Sequence, residues 1–268
     1  MGLLRLGASA VLLLTAATAG GCSAPGRVAG EAARAAEGRV AVSVHMEGAI
    51  GDLAWCLPAE EVAGLYSDDA ALESLELGYV QAALTWGPRP TVGEAIVVAI
   101  GADALAFIVH PSNQIGPLDK ETIRRLFSGE VSDWWSLGQS LGAVRLISRE
   151  EGSGARQILE EVVLEGGGLS SSTVVAASDG AVLDYVASTP GAIGYVPASN
   201  LREGVRALTL EGRRPEPQRV REGDYPLMVG VWIAYAAGGP GEELARCLTG
   251  SVGLEELARW YGPPELLR

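Results

Sequence analysis

The sequence is poor in the side chains that most often act as catalytic bases or bind transition metals. Its 268 residues include two histidines, His45 and His110, and three cysteines. No Cys/His cluster has the spacing of a metal site, so we predict neither a metal nor a cofactor. Basic residues are scarce as well, because 20 Lys and Arg stand against 33 Asp and Glu, a formal charge of −13. This acidic balance argues against nucleic acid as a partner.

The N-terminal apolar run, Ala8 to Ala19, is too short to cross a membrane as a stable helix. A tetrapeptide similar to a bacterial lipobox follows it and ends at Cys22, which would carry the lipid. We therefore predict a lipoprotein signal peptide over residues 1–21 and a tether over residues 22–38. The protein would then lie outside the cytoplasm, anchored to the cell membrane by lipid. A plain secretory signal with a chance cysteine is the alternative.

The two remaining cysteines are Cys56 and Cys247. A disulfide is permitted outside the cytoplasm, so the two residues can pair. Two buried free cysteines are an equally good interpretation, and the sequence leaves the choice open.

From residue 39 onward, short apolar runs alternate with stretches of helical spacing. Such alternation is typical of α/β layers with mainly parallel sheets. Residues 95–100 and 104–110 have the pattern of two strands separated by Gly101-Ala102-Asp103. Hydrophobic residues make up 48% of the chain, which is enough for a large core.

A strand, a glycine-containing turn and a helix follow one another between Val144 and Glu161. Ser153 and Gly154 stand where the helix begins, so backbone N–H groups are left free there for a small oxyanion. Arg149 precedes the turn and offers a planar, permanently charged partner for such an anion. An ordinary capped helix with a surface arginine is the alternative interpretation of this stretch.

Four more blocks surround the turn in a fixed order. They read VHPSN at 109–113, LDKETIRRLFSGEVSDW at 118–134, PGAIGYV at 190–196 and DYPL at 224–227. Together with the RxxxSG pattern of the turn, they resemble the phosphate-binding proteins of ABC importers, in the type II periplasmic-binding-protein family.

The resemblance implies a two-lobed α/β fold of the type II periplasmic-binding-protein kind, in which the chain crosses a hinge twice. We place these crossings near Ala106 and Val196. Lobe 1 would then comprise residues 39–105 plus 197–268, and lobe 2 residues 106–196. The ligand would lie in the cleft between the lobes.

By the same resemblance, Arg149, Ser153, Gly154 and Ala155 occupy the positions of the family's second-lobe ligand loop. Thr85 matches a ligand hydroxyl contributed by the first lobe. These five residues are our predicted ligand-binding set, and Cys22 is the predicted lipidation site.

The chain departs from the family pattern mainly in the first lobe. Glu47 stands in one expected donor loop, and Asp68 and Asp69 stand in the other. Trp86 replaces an acid that accepts the proton of hydrogen phosphate in the family, and Ala155 replaces a threonine. A carboxylate that faces the site would oppose a bound anion, since an unmatched buried charge costs several kcal/mol.

The resemblance predicts a lipid-anchored solute-binding protein that captures phosphate or a related oxyanion for an ABC permease. The alternative is a binding-protein-like lipoprotein that has lost its transport ligand and acts in sensing or interaction. An enzyme is not predicted, because Ser153 lacks a base: His110 is the only histidine expected in its lobe.

Overall fold

The computed structural model describes residues 39–267, and the predicted signal peptide, the tether and Cys22 lie outside this range. The strands are β1 (Val40–Ser43), β2 (Val62–Tyr66), β3 (Ala82–Gly87), β4 (Ile96–Val109), β5 (Arg145–Arg149), β6 (Val174–Ala176), β7 (Ala192–Pro197), β8 (Arg206–Ala207) and β9 (Met228–Tyr235). The α-helices are α1 (Asp68–Glu76), α2 (Lys120–Phe127), α3 (Gly154–Ile158), α4 (Asp179–Ser188), α5 (Pro217–Arg221), α6 (Pro240–Thr249) and α7 (Ser251–Leu257). Within residues 39–267, every helix is too short or too polar to span a bilayer.

The strands form one continuous series in the order β2-β1-β3-β9-β4-β7-β5-β6, with β8 paired to β4. β1 and β5 each form parallel pairs with both of their neighbours. The central strands β4 and β9 form antiparallel pairs with theirs. We call β1, β2, β3, β9 and the first part of β4 the first lobe. The second lobe consists of the rest of β4 with β5, β6, β7 and β8. The chain is therefore a two-lobed α/β protein, as predicted.

The long strand β4 connects the two lobes. It pairs with β9 as far as Ala104 and with β7 from Leu105 onward. The prediction of two strands separated by Gly101-Ala102-Asp103 was wrong, because this segment is extended and buried. Asp103 is tolerated there since its carboxylate accepts four hydrogen bonds from buried or half-buried groups. A side chain at Gly101 would lie 2.8 Å from Cβ of Tyr261, so glycine permits close packing.

The segment around β8 corrects one predicted boundary. It falls in the range 197–268, which the sequence prediction places in the first lobe, yet β8 pairs with Ile108 and Val109 in the second part of β4. The Arg206 guanidinium donates to the carbonyl oxygens of Asn113 and Ile115, which keeps the segment on the second lobe. These long-range contacts leave no local signal in the sequence.

The disulfide that the sequence left open is formed. Cys56 and Cys247 are bonded across 191 residues, with their Cα atoms 5.7 Å apart. The bond ties α6, near the end of the chain, to the segment that follows β1. Both partners therefore belong to the periphery of the first lobe.

In the second lobe, α4 packs against the sheet, and the residue that caps its first turn is its neighbour in the sequence. The Ser178 hydroxyl accepts from the N–H of Ala181 and so caps α4, which begins at Asp179. Val182 and Val186 on α4 are fully buried against β5 and β7. This packing fixes Asp179 at the edge of the cleft between the lobes.

Candidate functional site

The second lobe contributes the residues that the sequence singled out. β5 ends at Arg149, the chain turns at Gly152, and Ser153 precedes α3. Arg149, Ser153 and Ala155 are fully buried. Gly154 also lies inside, with its Cα against the backbone of Trp86 and Gly87 in the first lobe.

The approach of the two lobes at this point is very close. An added Cβ on Gly154 would lie 1.8 Å from the carbonyl oxygen of Trp86. Gly87 has a φ of +147°, and a Cβ there would lie 2.8 Å from Cα of Gly154. Both positions therefore require glycine, the first for space and the second also for backbone conformation. The consequence is a closed cleft.

A residue that sequence reasoning missed lies between the lobes. His45, in the 3₁₀ turn after β1, places Nε2 2.9 Å from Oγ of Ser153 and Nδ1 2.7 Å from Oδ2 of Asp179. The expectation that Ser153 has no histidine nearby was wrong, because the partner comes from the other lobe, 108 residues earlier. No local pattern marks His45, although it was one of only two histidines in the sequence.

The charge of His45 follows from its neighbours. Burial lowers the pKa of the imidazole, but the carboxylates of Asp179 and Asp68 raise it by more, so the net shift is upward. Nδ1 lies within hydrogen-bonding distance of the Asp179 carboxylate, and Nε2 lies within hydrogen-bonding distance of the Ser153 hydroxyl.

Ser153, His45 and Asp179 are thus connected in the order of a hydrolytic triad. Two features argue against that chemistry. The upward shift of the His45 pKa favours the imidazolium form, which has no lone pair with which to take a proton from Ser153. In addition, the N–H of Gly154, where a reacting oxyanion would be stabilised, already donates to Asp68. The arrangement is therefore one for binding charge.

Asp68, the first residue of α1, fills the position expected for an anion. Its Oδ1 accepts from the backbone N–H of Trp86 at 2.8 Å, and its Oδ2 accepts from the N–H of Gly154 at 2.7 Å. Oδ2 also lies 3.5 Å from Nε2 of His45. The side chain is buried, and burial raises the pKa of its carboxyl above the ordinary value. One carboxylate of the chain therefore uses a donor from each lobe.

The Arg149 guanidinium likewise donates hydrogen bonds to carboxylates of the chain. It donates Nε and one terminal nitrogen to the two oxygens of Glu150, at 2.9 Å each. Its other terminal nitrogen donates to Oδ1 of Asp179. Burial raises the pKa of Asp179, but His45 and Arg149 lower it by more, so that the net shift is downward. Asn200, on the second crossing between the lobes, donates to Asp179 at 2.8 Å.

The two other predicted ligand residues differ from this group. Ala155 packs its methyl group into the core and offers no donor. Thr85 lies on β3 with a buried Oγ1 that has no hydrogen-bond partner within residues 39–267. It lines a cavity of about 310 Å³ that also borders Asp68, Arg89 and Gln157. Thr85 is thus near the site without being engaged in it.

Trp86 stands where the family resemblance places an acid. Its indole Nε1 donates to Oδ2 of Asp103 at 2.9 Å, and its ring lies 5.2 Å from that of His45. The side chain is fully buried and serves the core, whereas its backbone N–H serves the site.

The chain is similar in sequence and in structure to several phosphate-binding proteins. Over 124 residues, 46% of this chain and 41% of the relative, the sequence is 31% identical to the phosphate-binding protein PstS of Bacillus subtilis. The chain thus matches less than half the length of this curated relative. Among solved structures, one from Clostridium perfringens, described as a phosphate ABC transporter substrate-binding protein with bound phosphate, is similar with a TM-score of 0.73. That match has 21% identity and covers 83% of this chain and 98% of the other.

An ABC-type phosphate transport receptor from Vibrio cholerae is similar with a TM-score of 0.66 and 18% identity, over 84% of this chain and 99% of the other. At these identities the structural matches show the fold. The family model for a PBP superfamily domain matches residues 60–260, which is most of the chain. The chain therefore belongs to the PBP superfamily, in which it is a divergent relative of phosphate-binding proteins.

Proposed function

We propose that this protein is an extracytoplasmic solute-binding protein that captures phosphate or a related small oxyanion and delivers it to an ABC permease. The observation that carries the proposal is the convergence of the Gly154 and Trp86 N–H groups, one from each lobe, on the two oxygens of a single carboxylate. Donors arranged in this way suit any anion with two oxygens on one central atom. Arg149, Ser153 and His45 lie next to them and supply positive charge and a hydroxyl.

Lipid anchoring at Cys22 completes the proposal. The mature protein would begin at Cys22, and residues 22–38 would tether the two lobes to the membrane near the permease. Mass spectrometry of the membrane-extracted protein is expected to find a diacylglycerol-modified N-terminus at Cys22. A mature N-terminus elsewhere without lipid would contradict this part of the proposal.

The lobe boundaries are also proposed here in corrected form. Lobe 1 comprises residues 39–104, with 198–205 and 211–268, and lobe 2 comprises residues 105–197 with 206–210. The change of partner along β4 and the pairing of β8 support this division.

A second candidate is a binding-protein-like lipoprotein that has lost its transport ligand and acts in sensing or interaction. It is favoured by the fact that Asp68, Asp179 and Glu150 already satisfy the charged and N–H donors of the site. A buried anion added to these carboxylates would face uncompensated repulsion.

A thermal-shift series on the purified protein separates the two candidates. Phosphate, sulfate, molybdate and small organic anions are the ligands to test. A ligand at 100 times its dissociation constant is expected to stabilise the fold by about 2.7 kcal/mol. Stabilisation by phosphate or another oxyanion supports the transport function. No response to any of them, up to millimolar concentration, supports the second candidate.

Hydrolysis provides a separate check on the geometry of Ser153. We expect the purified protein to cleave p-nitrophenyl acetate no faster than its Ser153→Ala variant does. Turnover that disappears in the variant would show that Ser153 is a nucleophile, and would contradict a purely binding function.

A further inference from the structure

We propose that Asp68 is an internal ligand of the cleft, and that a solute oxyanion binds by exchange against its carboxylate. Asp68 would thereby set both the affinity of the site and the shape of the anion that it accepts. This inference rests on the proposed function, but part of it can be tested without any solute.

The first step of the argument is that Asp68 joins the lobes. The residue belongs to α1 of the first lobe, whereas Gly154 belongs to the second. The bond between Oδ2 and the N–H of Gly154 measures 2.7 Å and is buried. A charge-assisted bond of this kind across the cleft favours the closed arrangement with no solute present.

The second step concerns charge. Arg149 is matched by Asp179 and Glu150, and His45 by Asp179 and Asp68. No cationic group of this cluster is left over to neutralise an additional anion. An entering oxyanion must therefore replace a carboxylate, and Asp68 is the one that holds the two backbone donors.

The third step is a route for the exchange. The cavity of about 310 Å³ beside Asp68 opens between the lobes and is bordered by Thr85, whose buried hydroxyl has no hydrogen-bond partner within residues 39–267. Arg89 lies on its rim, is exposed, and makes no ion pair with any residue of the described range. An anion that enters here passes this cation before it reaches Asp68 and the two N–H groups. Asp68 is released toward this cavity as the anion arrives.

The exchange explains which anions fit. A carboxylate places two oxygens on one atom, and phosphate can present two of its oxygens to the same N–H groups. Larger anions would separate Gly154 from the backbone of Trp86 and Gly87, which now touch.

The test compares wild-type protein with Asp68→Asn, using inorganic phosphate in titration calorimetry and small-angle scattering. Asparagine keeps the size of the side chain but replaces one carboxylate oxygen by an NH2 group. That group cannot accept a hydrogen bond from the backbone N–H that it faces. Asp68→Asn is expected to bind phosphate at least ~10-fold more tightly than wild type, since the competing charge is gone. Without phosphate, it should have a larger radius of gyration than wild type, and phosphate should restore the compact form.

The matched control is Glu73→Gln. Glu73 lies on the same helix, is exposed and does not touch the cleft. Its substitution by glutamine removes the same charge as Asp68→Asn. It should behave as wild type in both measurements. Asp68→Ser serves as a second variant if the asparagine variant folds poorly. Its shorter side chain also leaves the N–H groups of Trp86 and Gly154 free.

The outcomes separate this inference from the proposed function. If wild type and both Asp68 variants bind phosphate with equal affinity, the exchange is wrong and the transport function stands. If the variants remain as compact as wild type without phosphate, Asp68 does not hold the lobes together and the inference is overturned. If the variants expand but no protein binds phosphate, the bridging role of Asp68 stands and the proposed function fails.

Discussion

The two halves of the site are built in different ways. The second-lobe half, comprising Arg149, Ser153 and Gly154, comes from one strand–turn–helix segment of six residues or so. The first-lobe half, comprising His45, Asp68 and Trp86, comes from three separate segments around β1, α1 and β3. A contiguous segment can be recognised in a sequence, whereas a set assembled by folding cannot. Each half supplies one of the two backbone N–H donors, and Asp68 of the first-lobe half accepts from both.

The largest effect is expected from Arg149→Ala in the second-lobe half. The variant removes the guanidinium from both Asp179 and Glu150, and removing one partner of a buried ion pair costs about 3–5 kcal/mol. Oxyanion binding should disappear with it. Arg149→Lys should recover only part of either property, because an ammonium cannot reproduce the planar fork. Urea unfolding and calorimetry measure the two effects.

Arg156→Ala is the control for this variant. Arg156 lies on α3, and its ion pair with Glu160 is partly exposed, so its removal should cost about 0–1 kcal/mol. If the two variants lose the same free energy of unfolding, the burial of the Arg149 ion pairs does not increase their contribution to stability.

The next effect belongs to the first lobe, where the disulfide lies. Replacing Cys56 and Cys247 together by serine should lower the free energy of unfolding by about 2–4 kcal/mol, because the unfolded chain gains freedom. The affinity for any oxyanion should not change, since neither residue touches the cleft. Chemical denaturation with and without reductant tests the stability term. A loss of affinity in the double variant would show that the periphery of the first lobe shapes the site.

The free energy of unfolding is expected to depend on pH through Asp103, which lies on β4 next to the point where this strand passes from one lobe to the other. Burial raises the pKa of Asp103 to about 6, and hydrogen bonds from Ser199 and Trp86 only partly oppose this. Because the folded-state pKa is raised, this residue's contribution to stability is fully present below its unfolded pKa of 3.8 and is lost as the pH rises through about 6. The loss is at most about 3 kcal/mol.

Asp103→Asn should therefore show less decline in stability than wild type between pH 4 and pH 7. Thermal unfolding at several pH values, with each variant compared to itself at pH 4, isolates the slope from any constant cost of the substitution. Parallel curves for the two proteins would mean that Asp103 is not protonated more readily in the folded state.

The same contrast explains what the sequence could predict. The start of α4 at Ser178-Asp179 and the turn before Gly154 depend on neighbouring residues, so local chemistry reveals them. β2 was not predicted, because Gly64 interrupts a half-buried edge strand and weakens its alternation. β4 was split in two because a charged residue inside an apolar run normally marks a break, and only tertiary hydrogen bonds make Asp103 acceptable.

The site follows the same rule. The sequence placed Asp68 near the first-lobe donor loop and recognised that a carboxylate there opposes an anion. It could not show that the carboxylate itself takes the donors, because the bond to Gly154 spans 86 residues. His45 was missed for a similar reason. Its two partners, Ser153 and Asp179, belong to the other lobe and lie 108 and 134 residues away in the sequence.

The smallest effect is expected from Thr85→Val, which separates stability from binding. The Thr85 hydroxyl is buried and has no hydrogen-bond partner in the described part of the chain, so an apolar side chain of the same shape should raise stability by about 1 kcal/mol. If the hydroxyl donates to an exchanged anion, the same variant should weaken phosphate binding about 2- to 13-fold, the value of one neutral hydrogen bond. Thr173→Val is the matched control, because Thr173 also has a buried hydroxyl without a partner but lies away from the cavity. It should gain stability and leave affinity unchanged. Calorimetric titration with phosphate gives the affinity of each variant, and thermal unfolding gives its stability. Unchanged affinity in Thr85→Val would show that Thr85 does not contact the bound anion.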